Sequence, residues 1–184
     1  MKKQCVIYVL FLTALSSLAA QATSNLGMKP ILEHYAASNF IAGAVSKGDL
    51  DLIVKAGVRA PSASNRQPWH FTVIQSYDLV KQIMPSAVEG NVLIVVSVPG
   101  TGWEIFDGGL ATESMYLAAQ ALGYGSRIYT GGRDALNNRF KAALGLPSGY
   151  SALGLVRIGR VAAGIDAISA ASSRKSVDAV VSYK

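Results

Sequence analysis

One continuous apolar stretch constrains the fold of this 184-residue chain more than any other feature. Residues 91–98 read Asn-Val-Leu-Ile-Val-Val-Ser-Val, without the alternation of apolar and polar residues that a half-exposed strand shows. A run of this kind is typical of a strand that is buried on both faces. We therefore expect residues 91–98 to form an inner strand of a sheet.

Helical and extended patterns alternate around this run. Ser46 is placed to cap a helix whose buried stripe includes Leu50 and Ile53. Asp107 is predicted to cap a longer helix that continues through Leu122 and stops at Gly123. The other predicted elements are a turn at 60–68, strands at 70–75 and 153–159, and helices at 77–84 and 134–144. The alternation indicates an α+β or α/β class with helices over one central sheet.

The first 22 residues show the three parts of a secretory signal peptide. A basic start, Met1-Lys2-Lys3, precedes an apolar run at 5–15 and a small-residue ending, Ala20-Gln21-Ala22. The run of about eleven residues is too short to span a hydrocarbon core of about 30 Å as a helix. We expect 1–22 to be a signal peptide and 23–184 to be one domain, exported to the periplasm or outside the cell. An uncleaved membrane anchor is the alternative.

Basic residues are concentrated in the last third of the chain. Residues 127–184 carry nine basic and three acidic side chains, and the whole chain has a net charge of +6. No basic run exceeds two residues and no aromatic ladder accompanies the charges, so phosphate contacts are favoured over nucleic acid. Two histidines, His34 and His70, and one cysteine exclude a zinc finger, an iron–sulfur site and a disulfide scaffold, and we expect no metal site.

The segment at 59–69 concentrates hydrogen-bond donors between a predicted helix and a predicted strand. It reads Arg-Ala-Pro-Ser-Ala-Ser-Asn-Arg-Gln-Pro-Trp. Its prolines fix φ, and its serine and asparagine side chains turn the backbone by local hydrogen bonds. A stiffened loop of this kind presents donors to a flat, heteroatom-rich ligand at small ordering cost. An ordinary turn of the same composition is the alternative.

Three aromatic side chains are candidates for stacking on a flat substrate. They are Trp69, Trp103 and Tyr116. Packing in the core is the default interpretation for each of them.

Three segments of the chain follow one another in the order and spacing of a known family. The segment at 59–71, which continues the loop above with His-Phe, looks like a signature loop. Residues 107–126 resemble a long central helix with its glycine turn, and 146–159 resemble a late strand, followed by Arg174-Lys175 as a basic tail. The family that these segments resemble is that of the FMN-dependent nitroreductases. The similarity covers nearly all of residues 29–184.

The resemblance implies an α+β, three-layer sandwich with a mainly antiparallel central sheet flanked by helices. It further implies a homodimer with FMN at the interface. Such enzymes pass electrons from a reduced donor such as NAD(P)H, through FMN, to a nitroaromatic, a quinone or a similar flat acceptor. No catalytic side chain is expected, because the chemistry takes place on the cofactor. Carried over by position, the cofactor-binding residues are Arg59, Pro61, Ser62, Ala63, Asn65, Gln67, Ile128, Tyr129, Thr130, Gly131 and Arg174.

The chain departs from the family pattern at residues 34–39. Many members carry an arginine cluster there that grips the FMN phosphate, whereas this chain reads His-Tyr-Ala-Ala-Ser-Asn. The resemblance then assigns phosphate contacts to His34 and to the backbone amides of Tyr35 and Ala36, although His34 also suits a surface or an interface. Charge-assisted hydrogen bonds contribute about 1.5–3 kcal/mol each. Their loss motivates an alternative function, that of a redox-inactive protein binding flavin or another planar ligand.

Overall fold

The computed structural model describes residues 27–162 and 173–184 in two units, Met1–His34 and Tyr35–Lys184. The described part of the first unit holds a short helix, α1 (Lys29–Leu32), with a proline in its first turn. The predicted signal peptide, residues 1–22, lies outside the described residues. Its cleavage therefore stays a prediction.

The second unit alternates helices and strands. In chain order it contains β1 (Phe40–Ile41), α2 (Lys47–Val58), a 3₁₀ turn (Ala63–Asn65), β2 (His70–Ile74), α3 (Tyr77–Ile83), β3 (Val92–Pro99), α4 (Trp103–Ala121), β4 (Gly125–Tyr129), α5 (Arg133–Asn137), β5 (Tyr150–Val161) and a second 3₁₀ turn (Val177–Ala179).

The strands of the described part form one antiparallel sheet around β5. One edge of β5 pairs with β3, and the outer edge of β3 pairs with β2. The other edge of β5 pairs with β4 and, further along, with β1. Because every pair is antiparallel, the class is α+β and not α/β. The same pairings bring the first residues of β2 and β5 and the last residues of β3 and β4 to one end of the sheet.

Strand β3 is buried on both faces, as its continuous apolar run predicts. On one face Ile94 and Val96 belong to a core with residues of α2 and α4, including Ile53 and Met115. On the other face alternate residues such as Leu93 pack with residues of α3 and α5. The second unit is therefore a three-layer sandwich of helices, sheet and helices.

Two of the predicted helix signals are confirmed. The amide of Asp49 donates to Ser46 Oγ at 3.0 Å, which is the expected cap of α2. At the end of α4, the amides of Gly123 and Tyr124 donate to the carbonyls of Gln120 and Ala119. Gly123 has φ +83°, a left-handed conformation that glycine adopts without a steric penalty. These bonds form a Schellman motif, so Gly123 ends the helix.

Two predicted element boundaries are wrong, and one strand has no counterpart among the predicted elements. Helix α4 begins at Trp103 with Gly102 as its N-cap, so Asp107 lies inside the helix and does not cap it. Helix α5 ends at Asn137 and turns follow through 145, because the side chains of Asn137 and Asn138 donate to the carbonyls of Arg133 and Asp134 and so compete with the helical backbone. The strand β4 was not predicted, because its glycine and arginine residues lack an apolar alternation.

Candidate functional site

The loop that joins α2 to β2 has an unusual backbone. Ser64, Asn65 and Gln67 have φ of 52°, 53° and 48°. In the described part of the chain, they are the non-glycine residues with positive φ. A left-handed conformation is uncommon for such residues, and it persists only where the surrounding structure imposes it. The loop is therefore held in one shape by contacts from elsewhere.

A buried carboxylate in α4 supplies one of these contacts. The amide of Ala63 donates to both side-chain oxygens of Asp107, at 3.1 and 3.2 Å. Asp107 is 3% exposed, so water screens this charge-assisted bond little. The next residue, Gly108, lets α4 approach the sheet, because a Cβ there would lie 2.5 Å from Leu153 Cδ1. Helix α4 thus holds the backbone of the loop in place through the carboxylate of Asp107.

Hydrogen bonds within the loop complete its shape. The amide of Gln67 donates to Ser62 Oγ at 3.0 Å. The Gln67 side chain donates to Asn65 Oδ1 at 3.2 Å. Arg59, Pro61, Asn65, Arg66 and Gln67 are exposed, while Ser62 and Ala63 are half-buried. The loop therefore presents a guanidinium-rich and amide-rich surface to solvent from a rigid backbone.

The sheet brings the second predicted segment, residues 128–131, to the same end as this loop. His70, the first residue of β2, pairs with Ser97, and Tyr129, the last residue of β4, pairs with Leu155. Between β2 and β4 lie β3 and β5, so the two strands are about 14 Å apart across the sheet, or three strand spacings of about 4.8 Å, and their ends are offset by three residues along β5. Ile128 and Tyr129 belong to β4, and Thr130 and Gly131 form the exposed turn that follows.

A second group of predicted residues meets near the other end of α4. The side chain of Gln120 accepts from the Tyr35 amide at 3.2 Å and donates to the Tyr35 carbonyl at 2.8 Å. It also donates to Ser126 Oγ, which in turn donates to the Tyr116 carbonyl. The Tyr35 amide is thus engaged within the chain, and a phosphate there would have to replace this bond. The exposed Ala36 follows it.

The charge of Arg174 acts on Tyr116, which places Arg174 with this second group. Burial raises the pKa of the Tyr116 phenol, whereas a hydrogen bond from Gln120 and the charge of Arg174 act in the opposite direction. The phenol is accordingly uncharged at neutral pH. Tyr116 lies nine residues after Asp107, about 14 Å along the helix at 1.5 Å per residue. The predicted site residues of the second unit therefore form two groups, one at each end of α4. His34 belongs to the first unit, where its Nδ1 lies 2.8 Å from the Ile31 carbonyl oxygen.

Two exposed aromatic residues lie at the start of the helix that anchors the loop, and of these the sequence offered Trp103 as a stacking candidate and gave no role to Phe106. Trp103 and Phe106 are 74% and 67% exposed. Both lie within about one helical turn of Asp107, which contacts the loop. The default expectation of core packing is wrong for Trp103 but holds for Tyr116, which is 6% exposed. Trp69 is half-buried and stacks on Phe71. The sequence did not point to Phe106, because the helix was predicted to begin at Asp107, one residue after it.

Residues 27–162 and 173–184 contain no helix that is long and apolar enough to cross a membrane. Nor do they contain a group of three or more histidine, cysteine or acidic side chains arranged to hold a metal ion.

Comparisons with known proteins agree with this fold. Residues 31–96 and 89–160 match the model of the Nitroreductase family. The chain is 32% identical over 130 residues, 62% of its own length and 74% of the relative's, to an Archaeoglobus fulgidus protein named as an NADH dehydrogenase/NAD(P)H nitroreductase.

Two solved structures have the same fold. The nitroreductase of Desulfitobacterium hafniense DCB-2, crystallised with bound FMN, has a TM-score of 0.74 at 21% identity, covering 87% of this chain and 98% of that one. A nitroreductase of Desulfovibrio desulfuricans in complex with FMN has a TM-score of 0.73 at 23% identity, covering 88% and 97%.

Proposed function

The chain belongs to the nitroreductase family, and from that premise we propose that it is an FMN-dependent oxidoreductase. Its reaction carries electrons from a reduced donor such as NAD(P)H to a nitroaromatic, a quinone or a similar flat acceptor. The observation that carries the proposal is the rigid donor loop at 59–69, anchored on the buried carboxylate of Asp107. When bound, FMN supplies reversible two-electron chemistry, so that a hydride taken from the donor reaches the acceptor as electrons and protons.

The residues present fit the polar edge of a flavin. The loop offers the guanidinium groups of Arg59 and Arg66 and the side-chain amides of Asn65 and Gln67, all exposed. Neither guanidinium has a carboxylate within ion-pair distance among the described residues. Because the loop backbone is already ordered, these donors lose little conformational entropy when they bind a planar ligand.

The two groups of residues at the ends of α4 bind different parts of FMN, one the ring and the other the phosphate. Arg59, Asn65 and Gln67 orient the ring and donate to its heteroatoms. Backbone groups of 128–131 lie at the same end of the sheet as that loop and contact the ring beside them. Arg174, near Tyr116, supplies the positive charge for the phosphate, and the amide of Ala36 supplies a further donor. This arrangement makes Arg174 the main substitute for the arginine cluster absent from 34–39.

The exposed aromatic rings at the start of α4 favour a flat acceptor. Trp103 and Phe106 offer apolar faces within a turn of the residue that anchors the loop. Aromatic side chains stack on planar, electron-poor rings with a gain beyond simple burial. In this proposal they hold the acceptor and exclude water from it.

The proposal also includes a homodimer. Supporting it is the exposed apolar surface at the start of α4, where Ile105 is 40% exposed beside Trp103 and Phe106, so in this proposal the acceptor lies at the dimer interface. Large exposed apolar side chains grouped in one segment are typical of interaction sites in soluble proteins. Sedimentation velocity of the protein should give a dimer, and Ile105→Arg should shift it towards the monomer. A monomer for the unsubstituted protein over the whole concentration range would exclude this part of the proposal.

Export rests on the amino-terminal sequence. The basic start, the apolar run and Ala20-Gln21-Ala22 are the supporting features. Mass spectrometry of the protein from fractionated cells should find an amino terminus at residue 23 in the exported fraction. Recovery of the intact chain from the cytoplasm alone would contradict export.

Absorption spectroscopy tests the activity directly. The purified protein incubated with FMN should retain bound flavin after desalting, lose its visible band on addition of NADH or NADPH, and recover it with a quinone. Arg59→Ala should weaken flavin binding without altering the melting temperature, because Arg59 is exposed. Bound flavin without turnover would contradict the enzyme proposal and would favour the redox-inactive alternative.

A further inference from the structure

An apolar cavity lies on the sheet face opposite α4, and Tyr129, which the resemblance assigns to flavin, is one of its lining residues. It has a volume of about 240 Å³ and lies between α3 and α5. Tyr129 and Leu155, which pair across β4 and β5, contribute to its floor, and Leu136 and Phe140 contribute to its walls. The exposed Ala135 lies at its mouth. Tyr129 is the lining residue with a polar side chain, so the cavity suits a hydrocarbon body.

An arginine guanidinium lies over each aromatic ring that lines this cavity. The guanidinium of Arg127 lies 5.2 Å from the centre of the Tyr129 ring. That of Arg139 lies 4.9 Å from the centre of the Phe140 ring. Two guanidinium groups therefore lie about 5 Å from aromatic rings of the cavity lining, one at Tyr129 and one at Phe140.

A third arginine adds charge on the same face. Arg157 pairs directly with Arg127 across β5 and β4, so both side chains leave the sheet on the cavity side, next to the Tyr129–Leu155 pair. Like charges at directly opposite positions destabilise a sheet. Arg157 is 3% exposed, and its hydrogen-bond partners, Asn91 Oδ1 at 2.9 Å and the Ser86 carbonyl at 3.1 Å, are uncharged.

No acidic group compensates these arginines in the part of the chain that the structure describes. The ion pairs found there join Lys29 to Glu33 and Lys47 to Asp51. A buried cation without a counter-charge is costly, and buried charges in proteins are normally paired. The cavity therefore combines an apolar interior with an arginine rim, formed by Arg127 and Arg139 against its aromatic lining, while the buried Arg157 lies over the ring of Phe40 at 3.9 Å.

We propose that this cavity binds a small carboxylic acid with an apolar body, whose carboxylate meets Arg127 and whose hydrocarbon part fills the space beneath Tyr129. A cavity of about 150 Å³ holds a benzene molecule, so one of this size accommodates a ring with a short substituent. The arginine rim selects the anion over its neutral analogue, since a charge-assisted hydrogen bond is about twice as strong as a neutral one. The site uses the side chain of Tyr129, whereas the flavin is assigned backbone groups of 128–131, and it does not depend on the proposed reaction.

Calorimetric titration of the full-length, FMN-saturated protein with cyclohexanecarboxylate tests this proposal. The probe is not planar, so it is poorly suited to stacking on a flavin. We expect it to bind about tenfold or more tightly than cyclohexanecarboxamide, and Arg127→Met to remove that preference. Ala135→Trp, a substitution at the exposed mouth, should block both ligands. Arg160→Met is the matched control, because Arg160 is an exposed arginine that lies over Tyr124 on the opposite face of the sheet.

Three results would overturn the proposal. Equal binding of acid and amide would remove the role of the arginine rim. Unchanged binding by Arg127→Met, or an equal loss in Arg160→Met, would place the anion elsewhere. A shift of the flavin absorption band during the titration would assign the probe to the flavin site. The same spectra report flavin retention, so failure of this proposal is distinguishable from failure of the proposed function.

Discussion

Replacing Asp107 by alanine should loosen the loop at 59–69 and weaken flavin binding. The carboxylate accepts the Ala63 amide with both oxygens at 3.1 and 3.2 Å, and it is 3% exposed. A hydrogen bond to a charged group contributes about 1.5–3 kcal/mol to stability. We therefore expect Asp107→Ala to lower the free energy of unfolding by about 2 kcal/mol. For a chain of this length that corresponds to a fall in melting temperature of about 4–8 °C.

The same substitution should act on affinity through the loop backbone. Ser64, Asn65 and Gln67 hold positive φ, each at a cost of about 1–3 kcal/mol that the surrounding contacts offset. Without the anchor, part of that ordering has to occur during binding. We expect FMN affinity to fall about tenfold, equivalent to about 1.4 kcal/mol.

Thermal unfolding and quenching of flavin fluorescence measure the two effects. Asp107→Asn keeps one acceptor oxygen without the charge and should give an intermediate loss. Glu104→Gln is the matched control on the same helix, since its side-chain oxygen still accepts from the Gly102 amide. The control should change stability by about 0.5 kcal/mol or less. An Asp107→Ala protein that melts and binds FMN like the unsubstituted protein would refute the anchoring role.

Three further predictions probe other parts of the structure. Arg174→Ala should weaken FMN binding about tenfold while leaving riboflavin, which lacks the phosphate, unaffected in fluorescence titrations; equal losses for both would place Arg174 away from the phosphate. Gly108→Ala should lower the free energy of unfolding by about 1–3 kcal/mol in urea denaturation, because its Cβ would lie 2.5 Å from a leucine methyl of β5. Gly109→Ala, with open space around its Cβ, should raise it by about 0.5–1 kcal/mol, and the opposite order would contradict the close packing. Hydrogen bonds from the capping serine and from Tyr124 lower the pKa of Asp49 below its ordinary value of 3.8. Its charged form therefore stabilises the fold above that value, and this contribution is lost as the pH falls through the lowered pKa. The difference in melting temperature between the unsubstituted protein and Asp49→Asn should be present at neutral pH and close below pH 3.8; a difference independent of pH would contradict this origin.

Features with short-range causes were predictable from the sequence. Continuous apolar residues made β3 an inner strand, since both of its faces had to be covered. Ser46 capped α2 because its hydroxyl reaches an amide three residues away. Gly123 ended α4 because glycine alone adopts the required φ without strain. The donor-rich loop was visible for the same reason, since its residues are neighbours in the chain.

Features whose partners are distant in the chain were decided by the tertiary structure alone. Asp107 reads as a helix cap from its neighbours, yet its partner, Ala63, lies 44 residues away. The surface position of Trp103 follows from where α4 meets the sheet, and its own segment does not encode it. Arg127 and Arg157 face each other only because β4 and β5 pair in one register. Local sequence determines which conformation each segment prefers, whereas burial and pairing depend on which segments meet, and that is settled only when the whole chain packs.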